Sequence, residues 1–279
     1  MILVPHCSGQ TCNKICYFVQ ALATALECRR GLVYFFGKDL HLFSDLHPEA
    51  VPEINVICLD RQRSKVVDGI CGLLQNKIPG MRKRYYETNV ARIVGYVRRP
   101  KWIPIILWNW YFRNDVGIVR YREQICAYLR ARDPFVVRAK GIVSAARKKS
   151  SLVIGLHVRR GDYKTAFEGR YYFSDEDYLH FMKSAERSFG RRLAFVAVSN
   201  EPLDVAFFAK RGLCVTDASG TTPEDIVTLS ECDLVMGPPS TFSWWAAYYG
   251  GKPRLLLDDR KMDVDKGAFR PVCRLESAF

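Results

Sequence analysis

Short apolar runs alternate with polar-faced stretches through the second half of the chain. The apolar runs predict buried strands at 152–157, 193–198, 213–216, 234–237 and 254–257. Between them the pattern predicts helices at 175–189, 202–210, 223–231 and 241–249. Ser174 and Thr222 are the expected amino-terminal caps, and Gly190 and Gly250 the expected ends. Apolar strands that alternate with capped helices indicate a parallel sheet covered on both faces.

The first half shows the same alternation less regularly. A strand is predicted at 2–6, a helix at 13–29, and further strands near 32–36 and 54–58. Residues 76–149 are richer in helix signals, Trp and Arg. A polar segment at 148–151 predicts a boundary that divides the chain into domains 1–150 and 151–279. Two α/β halves of this kind are expected to bind a ligand at the carboxyl ends of their strands.

Charge separates the two halves. The chain of 279 residues is 48% hydrophobic and carries a formal net charge of +13. Residues 1–150 contain 25 Lys and Arg against 11 Asp and Glu, whereas residues 151–279 contain 17 against 18. The basic excess therefore lies in the first half. It suits an anionic partner such as a membrane surface, a nucleic acid or an acidic glycan.

Targeting and metal signals are weak. The amino terminus has no charged leader followed by a long apolar core, so a signal peptide is not expected. The ten cysteines form no CxxC pair and no zinc-type spacing with His. We therefore expect reduced thiols, no metal and a cytoplasmic location. Peripheral contact with the inner face of a membrane is compatible with this expectation.

The longest apolar stretch, at 102–112, includes Pro104 and Asn109 and is too short to span a bilayer. It lies within residues 76–149, which hold 18 Lys and Arg but only 4 Asp and Glu. Two interpretations remain open. The stretch forms either a buried helix with solvated charges around it or an interfacial helix on an anionic membrane.

Two motifs at predicted strand ends indicate anion binding. HVRRGDY at 157–163 follows a buried strand, and adjacent guanidiniums beside a Gly161 turn suit a diphosphate. PSTFSWWAA at 239–247 places small hydroxyl residues at a strand-to-helix junction, where free backbone N–H groups also favour an anion. The alternatives are that the arginines pair with surface acids, that Ser240 is only a helix cap, and that the tryptophans are core.

In their order and separation, these motifs resemble the α-1,2-fucosyltransferases of glycosyltransferase family 11. The arginine motif is similar to that of α-1,6- and protein O-fucosyltransferases as well. The resemblance is good over about 150–260. Residues 9–14 match a G-x-x-G-N-Q loop of these families in part, since Gly9 and Asn13 are kept. Cys12 and Lys14 stand in place of the second glycine and the glutamine.

The resemblance implies a GT-B architecture of two facing Rossmann-like domains, with GDP-fucose held by the C-terminal one and the acceptor bound by the N-terminal one. It implies that Arg159 contacts the β-phosphate and is essential, supported by Arg160. It also implies that Asp225 accepts hydrogen bonds from guanine; the alternative for that position is an acid that only stabilises the start of a helix. Asp162 is expected to anchor the arginine loop. The implied donor-binding residues are His157, Arg159, Arg160, Asp225, Ser240 and Thr241.

The expected activity is inverting transfer of L-fucose from GDP-fucose to a sugar hydroxyl of a glycan, with an α-1,2 linkage to galactose favoured. No cofactor or metal is expected. The two D-x-D spellings, at 175–177 and 263–265, lie at a helix start and in the tail rather than on a nucleotide-binding loop. The alternatives are another linkage or another GDP-sugar, an inactive sugar-nucleotide-binding protein, and a nucleic-acid-binding protein, for which the basic half shows no recognised motif.

Overall fold

Two parallel sheets, each in a separate compact unit, organise the chain. The structure, a computed structural model, describes residues 1–5, 7, 9–60, 95–98, 100–107 and 112–275. These fall into a first unit of residues 1–130 with 273–275 and a second unit of residues 131–272. The division lies before the predicted boundary at 148–151. Helix α5 (Asp133–Arg147) belongs to the second unit because it packs on helix α8 (Thr222–Glu231) of that unit.

The described residues of the first unit form a four-stranded sheet in the order β3-β2-β1-β4, and all pairings among these strands are parallel. Helix α1 follows β1 and is buried along most of its length, which explains why its sequence is apolar on more than one face. The strands are β1 (Ile2–Val4), β2 (Leu32–Tyr34), β3 (Val56–Cys58) and β4 (Ile105–Ile106); the helices are α1 (Thr11–Cys28), α2 (Gly37–His41), α3 (Asp115–Arg120) and α4 (Arg122–Tyr128).

The apolar run 102–112 does not form the helix that the sequence suggested, at least over residues 102–107. Ile105 and Ile106 form β4 and pair with Ile2 and Leu3 of β1, so this part of the run is an edge strand. Residues 108–111 lie outside the described residues. Trp102 precedes the strand in a turn and is 82% exposed. Within the described parts of the chain, no helix combines the length and apolar character needed to cross a bilayer.

The second unit contains a five-stranded sheet in the order β7-β6-β5-β8-β9, again wholly parallel. Each of its strands lies within one residue, at either end, of the range that the sequence predicted. The strands are β5 (Val153–Val158), β6 (Ala194–Ser199), β7 (Cys214–Asp217), β8 (Leu234–Gly237) and β9 (Arg254–Leu256). The further helices are α6 (Asp175–Phe189), α7 (Val205–Ala209), α8 (Thr222–Glu231) and α9 (Thr241–Gly250).

Helix α6 begins and ends where the sequence predicted, because Ser174 and Asp177 form a capping box and Gly190 ends the helix at a φ of 64°. Other ends differ. Helix α7 begins after Asp204, whose carboxylate accepts a hydrogen bond from the backbone of Phe207, so the helix predicted from 202 is shorter. Thr221, rather than Thr222, caps α8 through Glu224.

Helix α9 runs to Gly250 and is terminated by Gly251, one residue beyond the predicted Gly250, because Gly251 adopts the left-handed conformation with a φ of 64°. Gly250 is needed for a different reason. A Cβ atom at this position would overlap the backbone carbonyl of Ser230 at the end of α8. The two helices therefore cross too closely for any larger residue.

Gly250→Ala should destabilise the second unit by about 1–3 kcal/mol, because the added methyl group must push two packed helices apart. Gly141→Ala is the matched control, since Gly141 lies on an exposed face of α5 and a Cβ there would meet nothing within 4 Å. The control should instead stabilise the fold by about 0.5–1 kcal/mol. Urea unfolding followed by circular dichroism measures both changes; equal effects of the two substitutions would contradict the packing argument.

Candidate functional site

The two predicted motifs meet at one point of the second sheet. The chain runs from β5 to β6 and β7 on one side, then returns to β8 and β9 on the other side of β5. The order therefore reverses between β5 and β8, and ligands of such sheets bind at the carboxyl ends of the strands beside this reversal. Arg159 directly follows β5, and Ser240 follows β8 after Pro238 and Pro239.

Strands β5 and β8 approach closely at this end. A Cβ on Gly237 would lie 2.8 Å from both the Cβ and the carbonyl oxygen of His157. The imidazole of His157 is 4% exposed and stacks on the ring of Phe242, with 4.8 Å between centroids. Burial, together with the nearby charges of Arg159 and Arg254, holds the pKa of His157 well below its usual range. His157 is therefore a neutral imidazole in the floor of the site.

Arg159 is oriented by its own loop. Its Nε and Nη2 atoms donate to the two carboxylate oxygens of Asp162 at 3.0 and 2.9 Å. The same contact lowers the pKa of Asp162. The guanidinium also lies over the ring of Tyr163, 5.4 Å from its centroid. These contacts are those expected if Asp162 anchors the arginine loop.

Arg160 turns away into the unit. Its side chain is 9% exposed; Nη2 donates to Asp175 at 2.5 Å and Nε donates to the carbonyl of Phe173 at 3.2 Å. The sequence reasoning assigned Arg160 to the donor together with Arg159. In the structure its guanidinium instead ties the arginine loop to the start of helix α6.

Two further side chains, which sequence reasoning missed, hold the backbone of this loop. Asn200 Oδ1 accepts from the backbone N–H of Arg160 at 2.8 Å, and Glu201 Oε1 accepts from that of Gly161 at 3.1 Å. Gly161 has a φ of 30°, and a Cβ there would lie 2.5 Å from Asn200 Nδ2. Asn200 and Glu201 directly follow β6, and a polar pair after a buried strand is the signal that could have identified them.

Helix α9 supplies the opposite side of the site. Ser240 is its cap and accepts from the backbone N–H of Phe242 at 3.2 Å, and Ser240 and Thr241 are 4% and 6% exposed. The first N–H groups of a helix have no partner within the helix and attract anions. Arg254 of β9, also missed from the sequence, lies beneath this end. Its Nη2 donates to Ser243 Oγ at 3.0 Å.

Asp225 lies at the same edge of the sheet, in the first turn of helix α8, which follows β7. It is 7% exposed, and Oδ1 accepts from the backbone N–H of Gly220 at 2.7 Å. Burial raises the pKa of Asp225 to about 7. Strand β6 separates β7 from β5, so Asp225 is displaced sideways from the arginine loop.

The carboxylates of both D-x-D spellings have structural partners. Asp175 binds Arg160, and Asp177 completes the capping box of α6. Asp263 accepts from Ser184 Oγ at 2.9 Å, and Asp265 caps the turn at Lys266–Ala268. Across the described ranges, no group of three or more His, Cys, Asp or Glu side chains is placed to hold a metal ion.

In the first unit, the residues predicted as a loop are divided between a turn and a helix. Gly9 has a φ of 90°, and a Cβ there would overlap the side chain of Asn13. Asn13 and Lys14 lie in helix α1, in agreement with the helix predicted at 13–29 and not with the loop that the resemblance implied. Lys14 Nζ donates to Asp39 at 2.8 Å, and Thr11 Oγ1 bonds the same carboxylate at 3.3 Å.

Comparison with known proteins identifies relatives of both the sequence and the fold. The sequence model of Glycosyl transferase family 11 matches residues 108–263. Galactoside alpha-(1,2)-fucosyltransferase 1 of Mus musculus is 29% identical over 138 residues, which are 45% of this chain and 35% of that protein. Galactoside alpha-(1,2)-fucosyltransferase 2 of Oryctolagus cuniculus is 26% identical over 217 residues, or 71% and 54%. The matches thus span about a third to a half of these relatives.

Two solved structures share the fold. A mutant of Arabidopsis thaliana FUT1 in complex with GDP superposes with a TM-score of 0.57 at 13% identity, covering 97% of this chain and 72% of that one. Fucosyltransferase NodZ from Bradyrhizobium gives 0.56 at 15% identity, covering 92% and 96%. The expected GT-B-like class, an α/β fold with two parallel sheets, is confirmed.

Proposed function

The chain belongs to glycosyl transferase family 11, and from this we propose that it transfers L-fucose from GDP-fucose to a sugar hydroxyl of a glycan, favouring an α-1,2 linkage to galactose. One observation supports this most directly. The arginine loop after β5 and the amino end of α9 after β8 meet at the reversal point of the second sheet. Such a site suits the diphosphate of a nucleotide sugar.

The proposed chemistry depends on the leaving group. The bond between fucose C1 and the β-phosphate oxygen breaks while the acceptor oxygen attacks C1 from the opposite face and passes its proton to a base, a role that the departing diphosphate can itself fill. Negative charge then grows on the β-phosphate. Arg159 and the N–H groups at Ser240 and Thr241 would bind the β-phosphate more strongly in the transition state than in the ground state, which lowers the barrier. These residues supply positive charge without a metal, so we propose a metal-independent transfer.

Asp225 would select the base. A carboxylate can accept hydrogen bonds from both N1–H and the exocyclic amino group of guanine, whereas uracil and adenine do not present that pair of donors. The two strand spacings between β5 and β7 amount to about 10 Å. This separation leaves room for a nucleoside between the arginine loop and Asp225.

We also propose that the first unit contacts an anionic membrane near Trp102. Trp102 is 82% exposed, and an indole suits the membrane interface, where an apolar ring with one polar N–H is favoured. Arg98 and Lys101 beside it are exposed and basic. Each basic residue near such a surface adds about 1 kcal/mol of attraction.

Arg159→Ala should lower turnover of GDP-fucose by about 10²–10³, because one preorganised donor to the leaving group is lost. Arg159→Lys should fail as well, since an ammonium cannot bond in two places. Arg211→Ala is the control, because Arg211 is exposed and precedes β7, so it lies at the amino ends of the strands and not at the carboxyl ends where the site lies. Product formation is measured with a galactoside acceptor. A turnover of Arg159→Ala within about threefold of the parent protein would exclude this role of Arg159, because a lost contribution of only about 1.4 kcal/mol already lowers the rate tenfold.

Metal independence is tested by the same measurement in excess EDTA, where activity should survive. Activity that is lost in EDTA and restored by Mn²⁺ would exclude a metal-independent transfer.

Binding of GDP should weaken about tenfold from pH 8 to pH 6, because guanine needs the Asp225 carboxylate and this group, with a pKa of about 7, is protonated below neutrality. Asp225→Asn should bind GDP weakly at both pH values and flatten the profile. Isothermal titration calorimetry with GDP, and with UDP as the control ligand, measures this. Equal affinity for UDP, or an unchanged pH profile in Asp225→Asn, would contradict the guanine assignment.

Trp102→Ser should reduce sedimentation with phosphatidylserine-containing vesicles by about three- to tenfold, because the buried apolar area of the indole is lost. Val137→Ser is the control, since Val137 is a 71% exposed apolar residue in the second unit. Binding should also fall as salt shortens the screening length. Equal sedimentation of the parent protein with anionic and pure phosphatidylcholine vesicles would refute the membrane proposal.

A further inference from the structure

Tyr163 joins the two segments that meet at the site. It lies in the short turn Gly161–Lys164 that follows the arginine pair, and it is 5% exposed. Its hydroxyl donates to the carbonyl oxygen of Pro239, the residue before the cap of helix α9. Its ring supports the Arg159 guanidinium at 5.4 Å. One side chain therefore contacts both the arginine and the turn that leads into α9.

The turn that leads into α9 has few hydrogen-bond donors of its own. Pro238 and Pro239 have no backbone N–H, so the turn is held mainly through its carbonyl oxygens. Tyr163 binds the carbonyl of Pro239 from one side. Arg254 Nη2 lies 3.3 Å from the carbonyl of Pro238 and 3.4 Å from that of Ser240. Arg254 is 4% exposed and belongs to β9, so it is fixed by the sheet itself.

We propose that Tyr163 is a positioning residue, aided by Arg254, that sets the separation between the Arg159 guanidinium and the amino end of α9 so that both bind one diphosphate. This inference rests on the proposed function. The hydroxyl fixes the turn before Ser240, while the ring limits where Arg159 can move. Neither the hydroxyl nor the ring needs to touch GDP for this role. The loss of either group should weaken only the binding of the diphosphate.

Tyr163→Phe separates these two effects, because it keeps the ring beneath Arg159 and removes only the hydroxyl. GDP should bind about three- to tenfold more weakly, in keeping with the loss of one buried hydrogen bond. Guanosine, which lacks the diphosphate, should bind within about twofold of the parent protein on the same scale of affinity. Tyr171→Phe is the matched control, since Tyr171 is 8% exposed and its ring lies 6.5 Å from that of Tyr163.

A double-mutant cycle tests whether the hydroxyl acts through the cap of α9. The fold-loss of GDP affinity in the double variant Tyr163→Phe/Ser240→Ala should be smaller than the product of the fold-losses of the two single variants, because both substitutions disturb the same turn. Arg254→Lys keeps the buried charge but cannot reach all of its acceptors, so it should also weaken GDP and spare guanosine. It provides the same readout if Tyr163→Phe proves too unstable to purify.

The outcomes separate the two proposals. If the parent protein binds GDP but Tyr163→Phe loses GDP and guanosine affinity equally, or the cycle is additive, the positioning role is wrong and the donor site stands. If the parent protein binds neither GDP nor GDP-fucose, the proposed function fails and the positioning role falls with it. A loss confined to GDP, absent in Tyr171→Phe and non-additive with Ser240→Ala, establishes the positioning role.

Discussion

The close approach of β5 and β8 is the constraint on which the candidate site of the second unit depends. It requires glycine at 237, where any Cβ would press on His157 at 2.8 Å. Because these strands lie side by side, the arginine loop after β5 and the amino end of α9 after β8 lie next to each other. At this end of the strands the neutral His157 stacks on the ring of Phe242 in α9. A wider strand pair would separate the guanidinium from the helix end.

The candidate anion site lies in the half of the chain that has no basic excess, since residues 151–279 hold 17 basic and 18 acidic residues. Each arginine of its loop is paired with a carboxylate. Asp175 neutralises Arg160 within the fold, and Asp162 orients Arg159 without burying it fully. The helix end adds partial positive charge that no count of residues records. If the proposed function is correct, the net charge of a unit is a poor guide to where its nucleotide binds.

The sequence predicted the second sheet well because its signals are local. Capping residues such as Ser174 and apolar runs such as that of β8 act within a few positions of one another. It failed where partners are far apart. Arg254 looked like the start of an ordinary strand, yet it holds a turn 14 residues earlier, and Asn200 reaches a backbone N–H 40 residues earlier. The run at 102–112 misled for the same reason, since its pairing with β1 crosses about a hundred positions.

The segment from Ser240 to Ala247 is continuous in sequence, but its two parts have different environments in the structure. Ser240 and Thr241 lie at the amino end of α9, whereas Trp244 and Trp245 are fully buried and stack on Tyr248 in the interior. The two parts should therefore respond differently to substitution. A smaller residue at Trp244 or Trp245 leaves a cavity in the interior and lowers the stability of the second unit. A change at Ser240 or Thr241 leaves that interior intact and alters the polar groups at the helix end, which on the proposed function hold the nucleotide sugar.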